Sequence, residues 1–164
     1  MATTEAPGQA EHLWGVNEMR LAAELASIPV AFFFAYWELA DLGWRWPIIP
    51  DAVFAVRTPK RPTFLAEYDR GTETLDKLMG KLRRYADGLE GFPFEAVLLV
   101  TEEARRLDLL SREIRREGLT TPVFVAALEA IRGTGLFEVE FTELPARVAR
   151  KVLDGREMEA GSET

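Results

Sequence analysis

The chain has 164 residues with 48% hydrophobic content, enough to bury one core and within the usual size of a single domain. The absence of cysteine and a single histidine, His12, exclude disulfides, thiolate metal sites and imidazole-rich zinc or copper sites, so a bound metal would be held by oxygen. A formal charge of −7 argues against coating of nucleic acid through overall electrostatics and leaves only a local basic surface open.

Taken from the amino terminus, MATTEAPGQAEH has neither the basic start nor the apolar centre of a secretory signal, and cytoplasm is the expected location. Residues 1–11 and 155–164 are polar, small or charged and are expected as flexible tails around a single domain over 12–154. Asn17 is a candidate cap for a first helix, with Leu21, Leu25 and Ile28 recurring at helical spacing and Pro29 at its end. Val30 to Leu39 is aromatic-rich and suits a strand, although periodicity alone does not separate it from a buried helix. The apolar run from Ile28 to Trp37 is broken by Glu38 and Asp41, too short for the roughly 20 apolar residues of a membrane span.

Ala52 to Arg57 and Thr63 to Asp69 read as two strands joined through Thr58 to Pro62, where the prolines suit a turn and would break a strand interior. Leu75, Leu78, Leu82, Tyr85 and Leu89 then form one apolar stripe of a predicted helix over Thr72 to Leu89. Phe94 to Val100 suits a buried strand, Glu102 to Glu117 a helix, and Pro122 to Leu128 another buried strand, with Phe137 to Phe141 as an edge strand. The order helix, strands, helix, strand, helix, strand predicts an α/β domain with a mixed sheet and helices packed on it. Arg83, Arg84, Arg105, Arg106, Arg112, Arg115 and Arg116 fall on two of these helices, where solvated faces with intrahelical ion pairs are the plainer reading than a nucleic-acid surface.

The candidate site is acidic. Strand alternation puts Leu65, Glu67 and Asp69 on one face, and a hairpin centred near Lys60 sets Asp51 opposite Asp69 and Val53 opposite Glu67 on that same face. Three carboxylates held together repel, and a partly buried setting turns that repulsion into a raised pKa or a need for a cation. A hard ion such as Mg²⁺ or Mn²⁺ suits an all-oxygen set, with Asp51, Glu67 and Asp69 as its ligands. Ion pairing with Arg70, Lys77 or Lys81 is the alternative.

Pro50-Asp51, the hairpin, Glu67-Tyr-Asp69-Arg-Gly-Thr-Glu73 and Lys81-Leu-Arg-Arg-Tyr85 resemble the replication-relaxation family of plasmid and mobile-element proteins, and His12-Leu-Trp-Gly-Val-Asn17-Glu-Met-Arg20 adds a weaker match. The resemblance covers roughly residues 12–100 and implies a PD-(D/E)xK restriction-endonuclease-like core. Asp51 and Glu67 match the two metal-binding acids of that pattern. The lysine that the pattern puts two residues after the second acid is Asp69 here, and Lys81 or Lys77 from the following helix would take its place.

What the resemblance implies is Mg²⁺-dependent DNA nicking or cleavage with Asp51, Glu67 and Lys81 as catalytic residues, and Arg70, Lys77 and Arg84 as nucleic-acid contacts. The winged-helix domain that typically precedes this region in the family has no room ahead of Asn17, so a separately encoded DNA-binding protein would supply sequence-specific binding. The rival expectation is a catalytically inactive nuclease-fold module that binds DNA or partner proteins in replication control. Trp37, Trp44 and Trp46 raise a third, a homodimer, although for any one of them a place in the core is the more frequent outcome. His12 is expected near the helix start or on the surface, since nothing beside it offers a triad or a ligand spacing.

Overall fold

The computed structural model describes residues 7–144 and 148–153. Within them the chain forms α1 (Pro7–Glu24), β1 (Val30–Ala35), α2 (Tyr36–Leu39), β2 (Ala52–Val56), β3 (Thr63–Asp69), α3 (Leu75–Ala86) and β4 (Ala96–Thr101). A 3₁₀ turn (Ala104–Arg106) then leads into α4 (Leu107–Glu117), β5 (Val123–Ala127), α5 (Leu128–Thr134), β6 (Phe141–Leu144) and β7 (Val148–Arg150). One seven-stranded sheet contains all the strands in chain order. β1, β2 and β3 are antiparallel neighbours, β3, β4 and β5 run parallel, and β6 and β7 return antiparallel. The expected mixed α/β architecture is therefore present.

Every residue of β2, β4 and β5 is buried, because helices cover both faces of the sheet. Alternation sorts these strands into two cores. Phe54, Phe64, Ala66, Leu98 and Phe124 join Val16, Met19 and Ala23 of α1 and Ile131 of α5 on one side. Val53, Leu65, Val97, Leu99 and Val125 join Leu78, Leu82 and Tyr85 of α3 and Leu110 and Ile114 of α4 on the other. The parallel steps from β3 to β4 and from β4 to β5 need long crossovers, and α3 and α4 supply them.

Several local expectations are corrected. The first helix starts at Pro7, so residues 7–11 are helical rather than tail, and Asn17 is an exposed mid-helix residue rather than a cap. Leu21 and Leu25 are 55% and 76% exposed, while Val16, Met19 and Ala23 face the sheet. Two apolar stripes run along this helix, and spacing alone does not say which one meets the sheet. The first strand stops at Ala35, where α2 begins with the Glu38 carboxylate accepting from the Ala35 N–H at 2.8 Å.

α3 starts at Leu75, capped by Thr74, whose hydroxyl accepts from the Lys77 N–H at 3.4 Å. The helix expected over Glu102 to Glu117 begins as the 3₁₀ turn and closes at Gly118, whose φ of 64° is the left-handed C-cap conformation. Leu128 starts α5 rather than ending a strand, and the strand expected at the edge over Phe137 to Phe141 begins only at Phe141 and lies inside the sheet, between β5 and β7. The tail expected over 155–164 lies outside the described residues. No helix among the described residues is long and apolar enough to cross a membrane.

Gly15 fixes how closely α1 lies on β3. A Cβ there would fall 2.0 Å from Tyr68 Cε1, far inside contact distance. Gly15→Ala is therefore expected to lift the helix or turn the ring, at a cost of about 1–3 kcal/mol in urea unfolding. An unchanged midpoint would mean that the contact is looser than this packing implies.

Candidate functional site

Asp51 precedes β2 and continues its ladder, its carbonyl accepting from the Tyr36 N–H at 2.9 Å. The observed register pairs Ala52 with Ala66 and Val53 with Leu65. Extending it by one residue sets Asp51 opposite Glu67, not Asp69, a slip of two residues from the expected register. The Asp51 carboxylate receives His12 Nε2 at 2.8 Å on one oxygen and the Tyr68 N–H at 2.7 Å on the other.

Glu67 is 2% exposed, and each of its oxygens is engaged from α3. Lys81 Nζ stands 2.7 Å from Oε2, and the Tyr85 hydroxyl bonds Oε1. Burial, and then the negative charge of Asp51, push the Glu67 carboxyl up to about 8, while Lys81 and Tyr85 pull against that shift. Lys81 loses some basicity to burial but gains more from the charges of Glu67 and Asp51, so it is held above its ordinary value. Burial and the same Glu67 carboxylate hold the Tyr85 phenol far above the phenol range, which keeps it a donor.

Asp69 stands apart from this pair. Arg106 grips it with Nε 2.5 Å from Oδ2 and Nη2 3.2 Å from Oδ1, the Gly71 N–H donates to Oδ1 at 3.0 Å, and Arg106 also reaches the Glu73 carbonyl. Among the described residues no group of three or more His, Cys, Asp or Glu is close enough to hold a metal ion. The structure thus brings Asp51, Glu67 and Lys81 together and turns Asp69 toward the 3₁₀ turn.

The basic residues divide as well. Arg70 is drawn to α1, where it bonds the Gly8 carbonyl at 2.8 Å and the Glu11 carboxylate. Lys77 and Arg84 are exposed on the α3 stripe that carries Lys81. Arg83, Arg105 and Arg116 are each in an ion pair with a nearby glutamate, as solvated faces would have them. Trp44 and Trp46 pack edge-on against each other and against Phe92 within the chain, and their indole N–H groups donate to the Ile48 and Glu90 carbonyls.

Two members of the cluster were not assigned to it from the sequence, although both lie in stretches that carry the family resemblance. His12 is not a bystander near the helix start but the partner of Asp51, set between the rings of Tyr36 and Tyr68, across 39 positions of chain. Tyr85 sits in the apolar stripe of α3 and reads as core until its hydroxyl is seen to end on Glu67. A buried tyrosine hydroxyl needs a polar partner, and that need was the available hint.

No curated protein and no solved structure gives a significant match to the chain. A family model described as replication-relaxation matches residues 2–95, a segment that runs from α1 to the threshold of β4 and includes Asp51, Glu67, Lys81 and His12. With more than half of its length matched, the chain belongs to the replication-relaxation family, a membership that points to replication or relaxation of plasmid or mobile-element DNA.

Proposed function

We propose that the chain is a nuclease-like domain that nicks or cleaves plasmid or mobile-element DNA with Mg²⁺ or Mn²⁺ held at Asp51 and Glu67. The observation that carries this reading is two carboxylates from paired strand positions meeting an amine from the next helix, with Lys81 Nζ 2.7 Å from Glu67. The succession α1, β1 to β3, α3, β4 is also the one that the resemblance to the PD-(D/E)xK fold implies. Lys81 then stands where the missing strand lysine would act, arriving from α3.

The donor set suits a hard divalent ion at Asp51 and Glu67, since burial first and then the charge of Asp51 raise the carboxyl of Glu67 and a cation would relieve both. It does not suit one at Asp69, both of whose oxygens Arg106 engages. When bound, such an ion lowers the pKa of a water and offsets phosphate charge. Around it His12 keeps the Asp51 carboxylate oriented, Tyr85 anchors Glu67, and Lys81 brings positive charge to the attacked phosphate.

The test is conversion of supercoiled plasmid to open circles with Mg²⁺ or Mn²⁺, expected with the native chain and lost in Asp51→Asn. Cleavage that survives in both Asp51→Asn and Glu67→Gln overturns the proposal. Ion binding by calorimetry is expected to tighten as pH rises toward about 8, because the proton on Glu67 has to leave first, and to level off above that.

A second reading, a catalytically inactive module in replication control, draws on Asp69 in place of the strand lysine and its closure by Arg106. The net charge of −7 favours it too, since backbone binding needs several Lys or Arg contacts. No Mg²⁺ or Mn²⁺ binding at millimolar ion would favour this module.

A further inference from the structure

β1 is one edge of the sheet, with β2 on one side and no strand on the other among the described residues. A bare edge presents ladder groups that can take up a further strand, and charged side chains on the strand itself are a usual protection. The opposite edge has charge of its own, since β7 is three residues long, ends on Arg150 and is followed by Lys151. β1 has none. Its six residues, Val30-Ala-Phe-Phe-Phe-Ala35, carry no charge, and the rings of Phe32 and Phe34 stack at 5.0 Å on one face.

The charges come from the helices instead. The Tyr36 N–H bonds the Asp51 carbonyl on the β2 side, so alternation turns the polar groups of Phe33 and the N–H of Ala35 to the open side. Arg20 of α1 donates from Nη2 to the Phe33 carbonyl at 2.9 Å and to Glu38 Oε1 at 3.1 Å, and Glu38 Oε2 accepts from the Ala35 N–H at 2.8 Å. Glu24 braces Arg20, its Oε1 3.3 Å from Nε, and the guanidinium lies 5.7 Å from the centre of the Phe33 ring. One acceptor and one donor of the open ladder are thus occupied by a single ion pair, and the bulge between Val30 and Phe32 interrupts the ladder beyond them.

We propose that Arg20 and Glu38 close this edge against a second copy of the chain, and that opening the pair lets two β1 strands add to each other antiparallel. A second copy fits because β1 set against β1 brings no charge against a like charge and lays the Phe32 and Phe34 rings of one copy beside those of the other. The Phe33 carbonyl and the Ala35 N–H are groups that an incoming strand needs for its own ladder. The contacts that fasten α1 and α2 to β1 therefore also keep the chain single. Among the described residues neither Arg20 nor Glu38 bonds Asp51, Glu67 or Lys81, so the edge and the cleavage reading are tested apart.

The test is sedimentation of the full chain from micromolar to millimolar protein. The native chain and Arg20→Lys, which keeps the charge and a donor, are expected to stay monomeric. Arg20→Ala combined with Glu38→Ala is expected to self-associate roughly 10-fold or more tightly than the native chain, the size of one or two freed ladder hydrogen bonds. Glu38→Gln alone removes the ion pair with little change of shape and is expected to move the same way. Amide exchange at Phe33 in the double variant is expected to slow as protein concentration rises, which puts the contact on β1. Adding Ala31→Lys sets a charge on the opened edge and is expected to return the double variant to monomer, whereas association through unfolded chains would persist. A native chain that dimerises as tightly as the double variant, a double variant monomeric at millimolar protein, a dimer with unchanged Phe33 exchange, or one that survives Ala31→Lys overturns the proposal. So does blocking of the association by an unrelated apolar strand peptide as well as by a peptide of β1 sequence, since the edge would then take any strand.

Discussion

Glu67→Gln is expected to slow plasmid nicking by roughly 100-fold or more while making the chain more stable in mildly alkaline solution. Both effects come from one buried carboxyl. Its folded pKa of about 8 lies above the ordinary 4.5, so the proton is bound more tightly in the folded state. The stabilising contribution is complete below about 4.5 and is lost as pH rises through 8. Gln keeps the shape and an acceptor for Lys81 or Tyr85 but cannot ionise, so this slope vanishes. Urea unfolding between pH 5 and 9 should show native stability falling relative to a flatter Gln variant. Parallel slopes would mean that Glu67 is not the group that titrates. Loss of activity with a gain in stability is what a residue kept for chemistry rather than for packing should show.

Arg106→Ala is expected to cost about 3–5 kcal/mol, because it leaves the carboxylate of Asp69 buried without its partner. The Asp69 side chain is 1% exposed, and Arg106 supplies two of its contacts as well as one to the Glu73 carbonyl. The backbone N–H of Gly71 would remain as a lone donor. Replacing both charges, as Asp69→Asn with Arg106→Met, should recover much of the loss, since a neutral pair pays no desolvation penalty. Chemical denaturation of the single and double variants measures this directly. A cost below about 1 kcal/mol for Arg106→Ala would place the pair with ordinary surface salt bridges. The same comparison tests whether Asp69 is structural, because nicking should survive in the double variant.

The strands of the central sheet were legible because their chemistry is local. Thr63 to Asp69 is a strand with the bounds its residues suggest, and the apolar runs around Val97 and Val125 are buried as continuous hydrophobic segments should be. The nearness of Asp51 and Glu67 was also legible, but the residue that each one opposes was not. Turn geometry decides register, and Thr58 to Pro62 holds Arg61 at a φ of 46°, which composition does not announce. The buried side of α1 was misread because Leu21 and Leu25 make a better apolar stripe on paper than Val16, Met19 and Ala23. The partners of the acids stayed hidden for a different reason. His12 and Asp51, or Arg106 and Asp69, meet only after helices dock on the sheet, 39 and 37 positions apart.

The strand order of the sheet follows the order of the chain, so each new strand finds its neighbour already made. Assembly from the ribosome can therefore proceed by addition at one growing edge, with no early segment held open for a late one. By the time Thr101 has emerged, β3 has a neighbour on each side and Glu67, Lys81 and Tyr85 have all been synthesised, so the nascent chain can close its acidic centre before α5 and the last two strands exist.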